Sequence, residues 1–298
     1  MTSIERLEAA LRAAVDRLTA DGCPPRLAAA IEYAVFPPGN RLRPRLCVAV
    51  ANALGSGDGE HTEAAAVALE FLHCASLIQD DLPAFDDAAD RRGRPATHEA
   101  FDVPTAILAA DALIIGAFET IARTGTQHPA LAAVLTLEIA RGTGAPHGAV
   151  AGQGWEGETD IDLVRYHRSK TAALFEAATA AGAIVAGHDP APWRRVGHWL
   201  GRAYQIADDI ADEGSNGQHN SDAALGRPNA LRAFGRDASV AELEHCIQQS
   251  LDAVPSCPGD RMFRAFLESM LERFRPAPSA SRQYARRPHI RDHAEAVA

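Results

Sequence analysis

The chain has 298 residues, of which 47% are hydrophobic and 23% are charged. This composition excludes intrinsically disordered and collagen-like chains, and the length suits one large domain or two small ones. The net charge of -10 and the pI of about 5.6 argue against a protein that binds the phosphate backbone of nucleic acids. The basic residues are 28 arginines and a single lysine, Lys170.

The five cysteines are scattered and lack CxxC spacing, so they predict neither a disulfide framework nor a zinc site. We therefore expect a reduced, cytoplasmic protein. Residues 2–5 form a capping box that opens an amphipathic helix, whereas a signal peptide needs a basic start and an apolar run. The most apolar stretch, residues 103–118, is interrupted by Asp111 and is shorter than the roughly 20 residues of a membrane span. We predict no membrane span and interpret this stretch as a core or subunit-interface helix.

Apolar residues recur at helical spacing along most of the chain, and clusters of Pro and Gly separate the helical segments. No convincing strand alternation is present, and the abundant alanine allows helices to approach closely. We predict an all-α fold of about a dozen helices in one domain over residues 1–275. The Pro-, Ser-, Ala- and Arg-rich residues 276–298 are expected to form a flexible tail.

Residues 152–157 match the GxGxxG pattern of dinucleotide-binding proteins. That pattern needs a preceding strand and a βαβ unit. Here it follows a Gly- and Pro-rich segment in a helical chain, so we interpret it as a loop.

A first acidic group lies where Pro83 must end a helix, and three arginines follow it. The group is Asp80, Asp81 and Asp86, and the arginines are Arg91, Arg92 and Arg94. On an ideal helix of about 3.6 residues per turn, His73 and Asp80 lie within about 20° of one another and so share a face. Taken alone, the segment fits a solvated acidic turn capped by arginines as well as it fits a functional site.

A second acidic group, YQIADDIAD at residues 204–212, favours the functional interpretation. At about 100° per residue, four polar side chains fall within an arc of about 100°: Gln205, Asp208, Asp209 and Asp212. Like charges on one helix face cost some tenths of a kcal/mol per pair unless cations neutralise them. Neither group has the pattern of a calcium-binding EF-hand loop. The two groups therefore predict facing carboxylate walls that hold magnesium ions and a diphosphate, with arginines donating to phosphate oxygens.

The motifs DDxxxxD with RRGRP, and DDxxD preceded by YQI, resemble those of the trans-isoprenyl diphosphate synthases. GNRLRP at residues 39–44 is similar to the GKRxRP segment of that family, and Lys170 with Thr171 follows in the family's order and spacing. The resemblance covers roughly residues 30–260. Four sequence segments further resemble those of the bacterial carotenoid-branch geranylgeranyl diphosphate synthases: VFPPGNRLRP, LHCASLIQDDLPAF, AGQGWEGE and RPNA.

The resemblance implies a cytoplasmic, homodimeric prenyltransferase with the isoprenoid synthase fold, a helical bundle around a central cavity. Its substrates would be isopentenyl diphosphate and allylic diphosphates, joined head to tail. It also implies three Mg²⁺ ions per active site, with Mn²⁺ as an alternative. Asp80, Asp86 and Asp208 would be the principal ligands. The remaining aspartates would complete the metal shells directly or through water: Asp81, Asp209 and Asp212.

The same resemblance assigns two diphosphate sites. The allylic diphosphate would be held by Arg91, Lys170, Thr171 and Gln205. The isopentenyl diphosphate, which binds without metal, would be held by Asn40, Arg43, His73 and Arg92. The implied reaction is ionisation of the allylic substrate, attack by the isopentenyl double bond, and loss of a proton to the released diphosphate. Metal ions and cationic side chains would take up the charge on the leaving group, so no protein nucleophile is needed.

Chain length in this family depends on an apolar channel below the first aspartate motif. The fifth residue before that motif forms the channel floor and is bulky in short-chain bacterial members. Here it is Ala75, with Ser76 beside it. Five helical residues span about 7.5 Å, so we expect growth past fifteen carbons to geranylgeranyl diphosphate, with farnesyl diphosphate as the alternative product.

Three positions depart from the family pattern. Asn40 replaces a lysine, Gln79 stands where a histidine is common, and the loop after Asp212 lacks lysines, with Arg227 as a candidate substitute. Because asparagine carries no charge, isopentenyl binding would depend on the remaining cations. Two further alternatives stay open: a class I terpene cyclase or head-to-head synthase, and a non-catalytic prenyltransferase subunit.

Overall fold

The computed structural model describes residues 3–36, 39–57, 59–213 and 229–276. Over these residues the chain forms fourteen α-helices, and the predicted all-α class is confirmed. The first seven are α1 Ser3–Leu18, α2 Pro25–Val35, α3 Leu42–Ala53, α4 Glu60–Asp81, α5 Thr97–Ala100, α6 Val103–Thr124 and α7 Pro129–Thr143. The other seven are α8 Ala149–Trp155, α9 Leu163–His167, α10 Ala173–Val185, α11 Ala191–Glu213, α12 Ala230–Phe234, α13 Arg236–Asp252 and α14 Asp260–Leu271.

Helices α4 and α10 form the centre of the bundle. Both are buried around most of their circumference, as expected for helices that are apolar on all sides. Helix α10 packs against α3, α4, α7 and α11, and α4 packs mainly against α6. Alanine is the most frequent residue of both central helices, which allows neighbouring backbones to approach closely.

Helix α4 ends at Asp81, as the position of Pro83 predicts. Beyond it, the structure contains a short element that the sequence pattern did not indicate. Strands β1 (Asp90–Arg91) and β2 (Arg94–Pro95) form an antiparallel hairpin. Both turn residues, Arg92 and Gly93, have positive φ angles, of 57° and 75°. Two-residue strands are too short to show an alternating pattern, and the turn alone defines this hairpin.

The predicted loop at residues 152–157 is wrong for its first four residues, because helix α8 runs through Trp155. Gly152 allows α8 to lie directly against a single π-helical turn, Arg168–Ala172, between α9 and α10. On the opposite side of the turn, a Cβ atom at Gly201 of α11 would lie 2.4 Å from the Cα of Ala172. The π turn, which carries Lys170 and Thr171, is therefore held between two glycine contacts. Single π turns of this kind occur frequently at functional sites.

Helix α6 contains the apolar stretch noted in the sequence. Among the described helices it alone is long and apolar enough to cross a membrane, and 39% of its most apolar window is buried in the protein. Its inner side chains, including Ala106, Leu113 and Ala117, belong to the core formed with α4. Its other face carries exposed Ile107, Leu108 and Ile115.

We predict that Gly152→Ala destabilises the protein by about 1–3 kcal/mol, the range for overpacking a tight contact. The new Cβ would lie 2.2 Å from both the Cα and the backbone nitrogen of Lys170, where no flexible side chain can yield. Gly154→Ala in the same helix is the matched control, because no atom lies within 4 Å of its added Cβ. Alanine there should stabilise the helix by about 0.5–1 kcal/mol. Urea unfolding measures both free energies, and equal stability of the two variants would contradict the contact.

Candidate active site

A cavity of about 650 Å³ opens where the end of α4, the hairpin, the π turn and α11 meet. It brings together eleven of the residues singled out in the sequence, and its lining is mainly polar. These are Arg43, His73, Ser76, Asp80, Asp86, Arg91, Arg92, Lys170, Thr171, Gln205 and Asp208. The cavity thus has carboxylates from two helices and cations from three separate elements.

The first acidic group folds back on itself at the end of α4. The backbone N–H of Asp86 donates to the carbonyl of Asp80 over 3.0 Å, which holds the two side chains on the same side of the cavity. Burial raises the pKa of Asp80, and the neighbouring Asp86 carboxylate acts in the same direction, whereas Lys170 opposes the shift. The Oδ1 atom of Asp80 is buried and has no hydrogen-bond partner, although Lys170 Nζ lies 3.6 Å away.

Asp81 points away from the cavity and binds the hairpin. It is 3% exposed and accepts hydrogen bonds from Arg91 Nε at 2.8 Å and from Arg91 Nη2 at 2.5 Å. The guanidinium of Arg91 also lies 3.9 Å from Asp80. Burial raises the pKa of Asp81, and the bound Arg91 counteracts that shift. Asp81 therefore orients Arg91 toward the cavity and does not itself line it.

The second acidic group divides in the same way. Asp208 is exposed and lines the cavity, whereas Asp209 is 2% exposed and faces the protein. Asp209 accepts hydrogen bonds from the Nε2 of Gln205 at 2.9 Å and from the backbone N–H of Ala230 at 2.8 Å. Thr171 in turn donates its hydroxyl proton to the Oε1 of Gln205. This chain of hydrogen bonds joins the π turn to α11 and to the start of α12.

Three of the four residues assigned to isopentenyl diphosphate lie together on the cavity wall. Arg43 is buried, its guanidinium carbon lies 4.6 Å from the ring centre of Phe175, and its Nε has no hydrogen-bond partner. His73 lines the same cavity as Arg43 and Arg92. Burial, together with these arginines, holds the pKa of His73 well below its usual range, so the imidazole is neutral at physiological pH.

Asn40, the fourth of these residues, does not line the cavity. Its side chain is exposed, and its Oδ1 accepts a hydrogen bond of 3.1 Å from Arg273, just beyond α14. The side chain of Asp212 lies outside the described residues, as does Arg227 in the loop after α11. Asn40, Asp81 and Asp209 therefore do not line the cavity themselves, although Asp81 and Asp209 accept hydrogen bonds from Arg91 and Gln205, which do.

Glu156 is a site residue that the sequence reasoning missed. It follows α8 directly, its side chain is 8% exposed, and it accepts hydrogen bonds from Lys170 Nζ and from the Tyr166 hydroxyl. Its carboxylate oxygens lie within 4.8 Å of those of Asp80 and Asp86. The GxGxxG match drew attention to the glycines of this stretch. The signal that could have identified Glu156 was a carboxylate in the same segment, fourteen residues before the only lysine.

A second, apolar cavity of about 260 Å³ continues from the first and shares Ser76, Asp80 and Lys170 with it. Ala75 lines this second cavity and has no contact with the first. Its walls come mainly from α4, α6, α7 and α8, and they include Leu72, Ile114 and Phe118. A polar cavity thus leads into an apolar one beside the side chain predicted to limit chain length.

Residues 24–255 match the sequence profile of the Polyprenyl synthetase family. The chain is 44% identical to a geranylgeranyl diphosphate synthase of Cereibacter sphaeroides, over 93% of this chain and 98% of that one. It is 41% identical to a geranylgeranyl diphosphate synthase of Rhodobacter capsulatus, over 94% and 99% of the two chains.

Solved structures agree with this assignment. The fold resembles that of an FPP/GFPP synthase from Zymomonas mobilis, with a TM-score of 0.74, 29% identity, and coverage of 91% of this chain and 100% of that one. A geranyltransferase from Legionella pneumophila gives a TM-score of 0.76 at 26% identity, over 91% and 93% of the chains. The motifs, the bundle around a cavity and the extent of these similarities together show that the chain belongs to the polyprenyl synthetase family.

Proposed function

We propose that the protein condenses isopentenyl diphosphate head to tail with allylic diphosphates and releases geranylgeranyl diphosphate. The observation that carries this proposal is one polar cavity, lined both by carboxylates and by Arg43, His73 and Arg92, that is continuous with an apolar cavity. A prenyl diphosphate has this same division into a charged head and an apolar tail. A cyclase needs no second diphosphate site, so the cluster around Arg43 favours a condensing enzyme.

The acidic residues fit magnesium. Asp80 Oδ1 is buried without a hydrogen bond, and oxygens of Asp80, Asp86 and Glu156 lie within 4.8 Å of one another. Mg²⁺ prefers such hard oxygen donors and completes its shell with water and phosphate. We propose that Asp80, Asp86 and Asp208 hold three ions per site, with Mn²⁺ as an alternative. When bound, the ions neutralise the diphosphate and favour its departure from the allylic carbon.

Each protein group then has a defined task in the proposed mechanism. Arg91 and Lys170 donate to oxygens of the allylic diphosphate, and the hydroxyl of Thr171 and the amide of Gln205 complete its polar contacts. Arg43, Arg92 and the neutral His73 orient the isopentenyl diphosphate so that its double bond faces the allylic carbon. After attack, the proton of the adduct goes to the released diphosphate. Apolar walls exclude water during these steps.

The roles of Asp81 and Asp209 are narrower than the family resemblance implies. Asp81 binds Arg91, and Asp209 binds Gln205 and the N-terminus of α12. We propose that both act on the substrate through those partners. Without a charge at Asn40, we propose that isopentenyl binding depends on Arg43, Arg92 and His73.

We further propose a homodimer formed through α6 and α7. Five large apolar side chains on these helices are between 43% and 67% exposed: Ile107, Leu108, Ile115, Val134 and Leu137. The two helices pack against each other, so the side chains form a common surface that is atypical of a free monomer. A two-fold interface brings the same face of two copies together, and this apolar face can pack against a second copy of itself.

We propose that residues 1–275 act as one cytoplasmic domain and that the product supplies a carotenoid-type pathway. The five cysteines have no disulfide partner, which agrees with a reducing compartment. Residues 277–298, nearly all of the predicted tail, lie outside the described residues.

Incubation of the purified chain with isopentenyl diphosphate, Mg²⁺ and the five-, ten- or fifteen-carbon allylic diphosphate tests the function. We expect geranylgeranyl diphosphate as the end product of all three. Asp80→Asn should abolish turnover, whereas Asp16→Asn, an exposed residue of α1, should not change it. A farnesyl end product would indicate a farnesyl synthase. Consumption of the allylic substrate without isopentenyl diphosphate would indicate a cyclase or a head-to-head synthase. No turnover would indicate a non-catalytic subunit.

We predict that Ala75→Tyr shifts the product toward farnesyl diphosphate. Ala75 is 1% exposed and lines the apolar cavity one and a third turns before Asp80, so a phenol ring there occupies the path of the growing chain. Phe118→Ala, on the opposite wall, should lengthen the product instead. Mass spectrometry of the products measures both effects. Unchanged chain length in both variants would remove this cavity from the proposal.

We predict that Ile115→Glu converts the dimer to a monomer, because it places a charge at the most exposed apolar side chain of the α6 face, which is 67% exposed. Ile4→Glu on α1 is the control, since Ile4 is also an exposed isoleucine, at 50%, but lies on a different helix. Light scattering coupled to size-exclusion chromatography gives the mass of each variant. A monomeric wild type, or a dimeric Ile115→Glu, would contradict the interface.

A further inference from the structure

Glu156 connects three side chains at the edge of the polar cavity. Its Oε1 accepts hydrogen bonds from Lys170 and from Tyr166, the latter at 2.5 Å. Its Oε2 accepts from the amide of Gln153 at 3.1 Å. A carboxylate that is 8% exposed and accepts from three donors is fixed in one orientation.

Glu156 lines neither the polar cavity nor the apolar one, whereas Lys170 lines both. The carboxylate therefore contacts the ammonium group without lining the substrate space itself. Lys170 Nζ also lies 3.6 Å from Asp80, which lines both cavities. Lys170 and Tyr166, which both donate to Glu156, line the polar cavity, so Glu156 can act on a ligand there through these side chains.

The backbone of Lys170 is already fixed, because Gly152 and Gly201 allow α8 and α11 to pack against the π turn. These backbone contacts do not fix the side chain of Lys170. A lysine has a flexible four-carbon stem, and ordering it costs rotamer entropy. A charged acceptor at the stem's end offsets this cost before any ligand binds.

We propose that Glu156 is a positioning residue that pre-orders the Lys170 ammonium for the allylic diphosphate. This inference rests on the proposed function, since it takes the diphosphate as the partner of Lys170. Tyr166, whose buried side chain donates its hydroxyl to the same Oε1, supports the arrangement. The role differs from that of a metal ligand, which the proximity of Glu156 to Asp80 and Asp86 also allows.

A double-mutant cycle separates the two roles. If Glu156 acts through Lys170, Glu156→Gln weakens diphosphate binding in the wild-type background but adds nothing to Lys170→Met. If Glu156 is a metal ligand, the two effects multiply, and the Mg²⁺ concentration for half-maximal activity rises in Glu156→Gln.

The experiment measures binding of inorganic diphosphate with Mg²⁺ by calorimetry, together with KM and kcat for each substrate. We expect Glu156→Gln to weaken diphosphate binding and raise the allylic KM by about tenfold, the size of one lost charged hydrogen bond. The KM for isopentenyl diphosphate and the Mg²⁺ requirement should stay within about twofold of wild type. Glu158→Gln, an exposed carboxylate two residues later, is the matched control and should leave all values unchanged.

Multiplicative effects in the cycle, or an increased Mg²⁺ requirement, would overturn the proposal. So would wild-type diphosphate affinity in Glu156→Gln. If that variant does not fold, Glu156→Asp replaces it in the same cycle, because it keeps the charge but withdraws it from Lys170. An inactive wild type that still binds diphosphate would refute the proposed function alone, since the binding cycle tests Glu156 independently.

Discussion

Like-charged carboxylates in a half-buried cavity repel one another, and the architecture of the site follows from how the chain offsets that repulsion. Burial raises the pKa of three carboxylates: Asp80, which lines the cavity, and Asp81 and Asp209, which bind residues of its lining. Each of these carboxylates has a compensating partner. Lys170 lies beside Asp80, Arg91 binds Asp81, and the backbone N–H of Ala230 donates to Asp209. The compensating groups belong to the π turn, the hairpin and α12, so three otherwise peripheral elements are tied to the ends of α4 and α11. The electrostatic requirement of the site thereby fixes part of the tertiary structure.

Helix geometry explains why each pair of adjacent aspartates divides its work. Consecutive residues on an α-helix point about 100° apart, so both members of a pair cannot face the same cavity. Asp80 and Asp208 line the cavity, whereas Asp81 and Asp209 are buried and organise neighbouring elements. The sequence motif therefore contains two kinds of residue: one that lines the cavity, and one that binds the cations and amides beside it. An arc of about 100° on a helical wheel includes both kinds of aspartate. The wheel shows the direction of each side chain but not which part of the protein that side chain faces.

Features that depend on helical periodicity could be predicted from the sequence. The end of α4 just before Pro83 and the shared face of His73 and Asp80 follow from spacing alone. The approach of the two acidic groups follows from the cost of like charges that no cation neutralises. The hairpin, the π turn and helix α8 could not be predicted in this way, because local features define them. The hairpin depends on the positive φ of Arg92, and the packing of α8 and the π turn depends on the close approaches at Gly152 and Gly201. Asn40 fits the family motif by position, but its side chain contacts Arg273 near the far end of the chain. Long-range contacts of this kind leave no periodic signal.

The single lysine of an arginine-rich chain now has a physical explanation. Lys170 occupies a narrow space between Glu156 and Asp80, with its side chain 20% exposed, beside a tyrosine ring 5.8 Å from its ammonium. An ammonium is a compact point charge that can donate to carboxylates on opposite sides, whereas a guanidinium is a planar fork suited to one bidentate partner. Arg91 has that second geometry with Asp81, beside the same cavity. The two cations therefore differ because their partners differ: Lys170 lies between two separate carboxylates, whereas Arg91 binds one carboxylate with two nitrogen atoms.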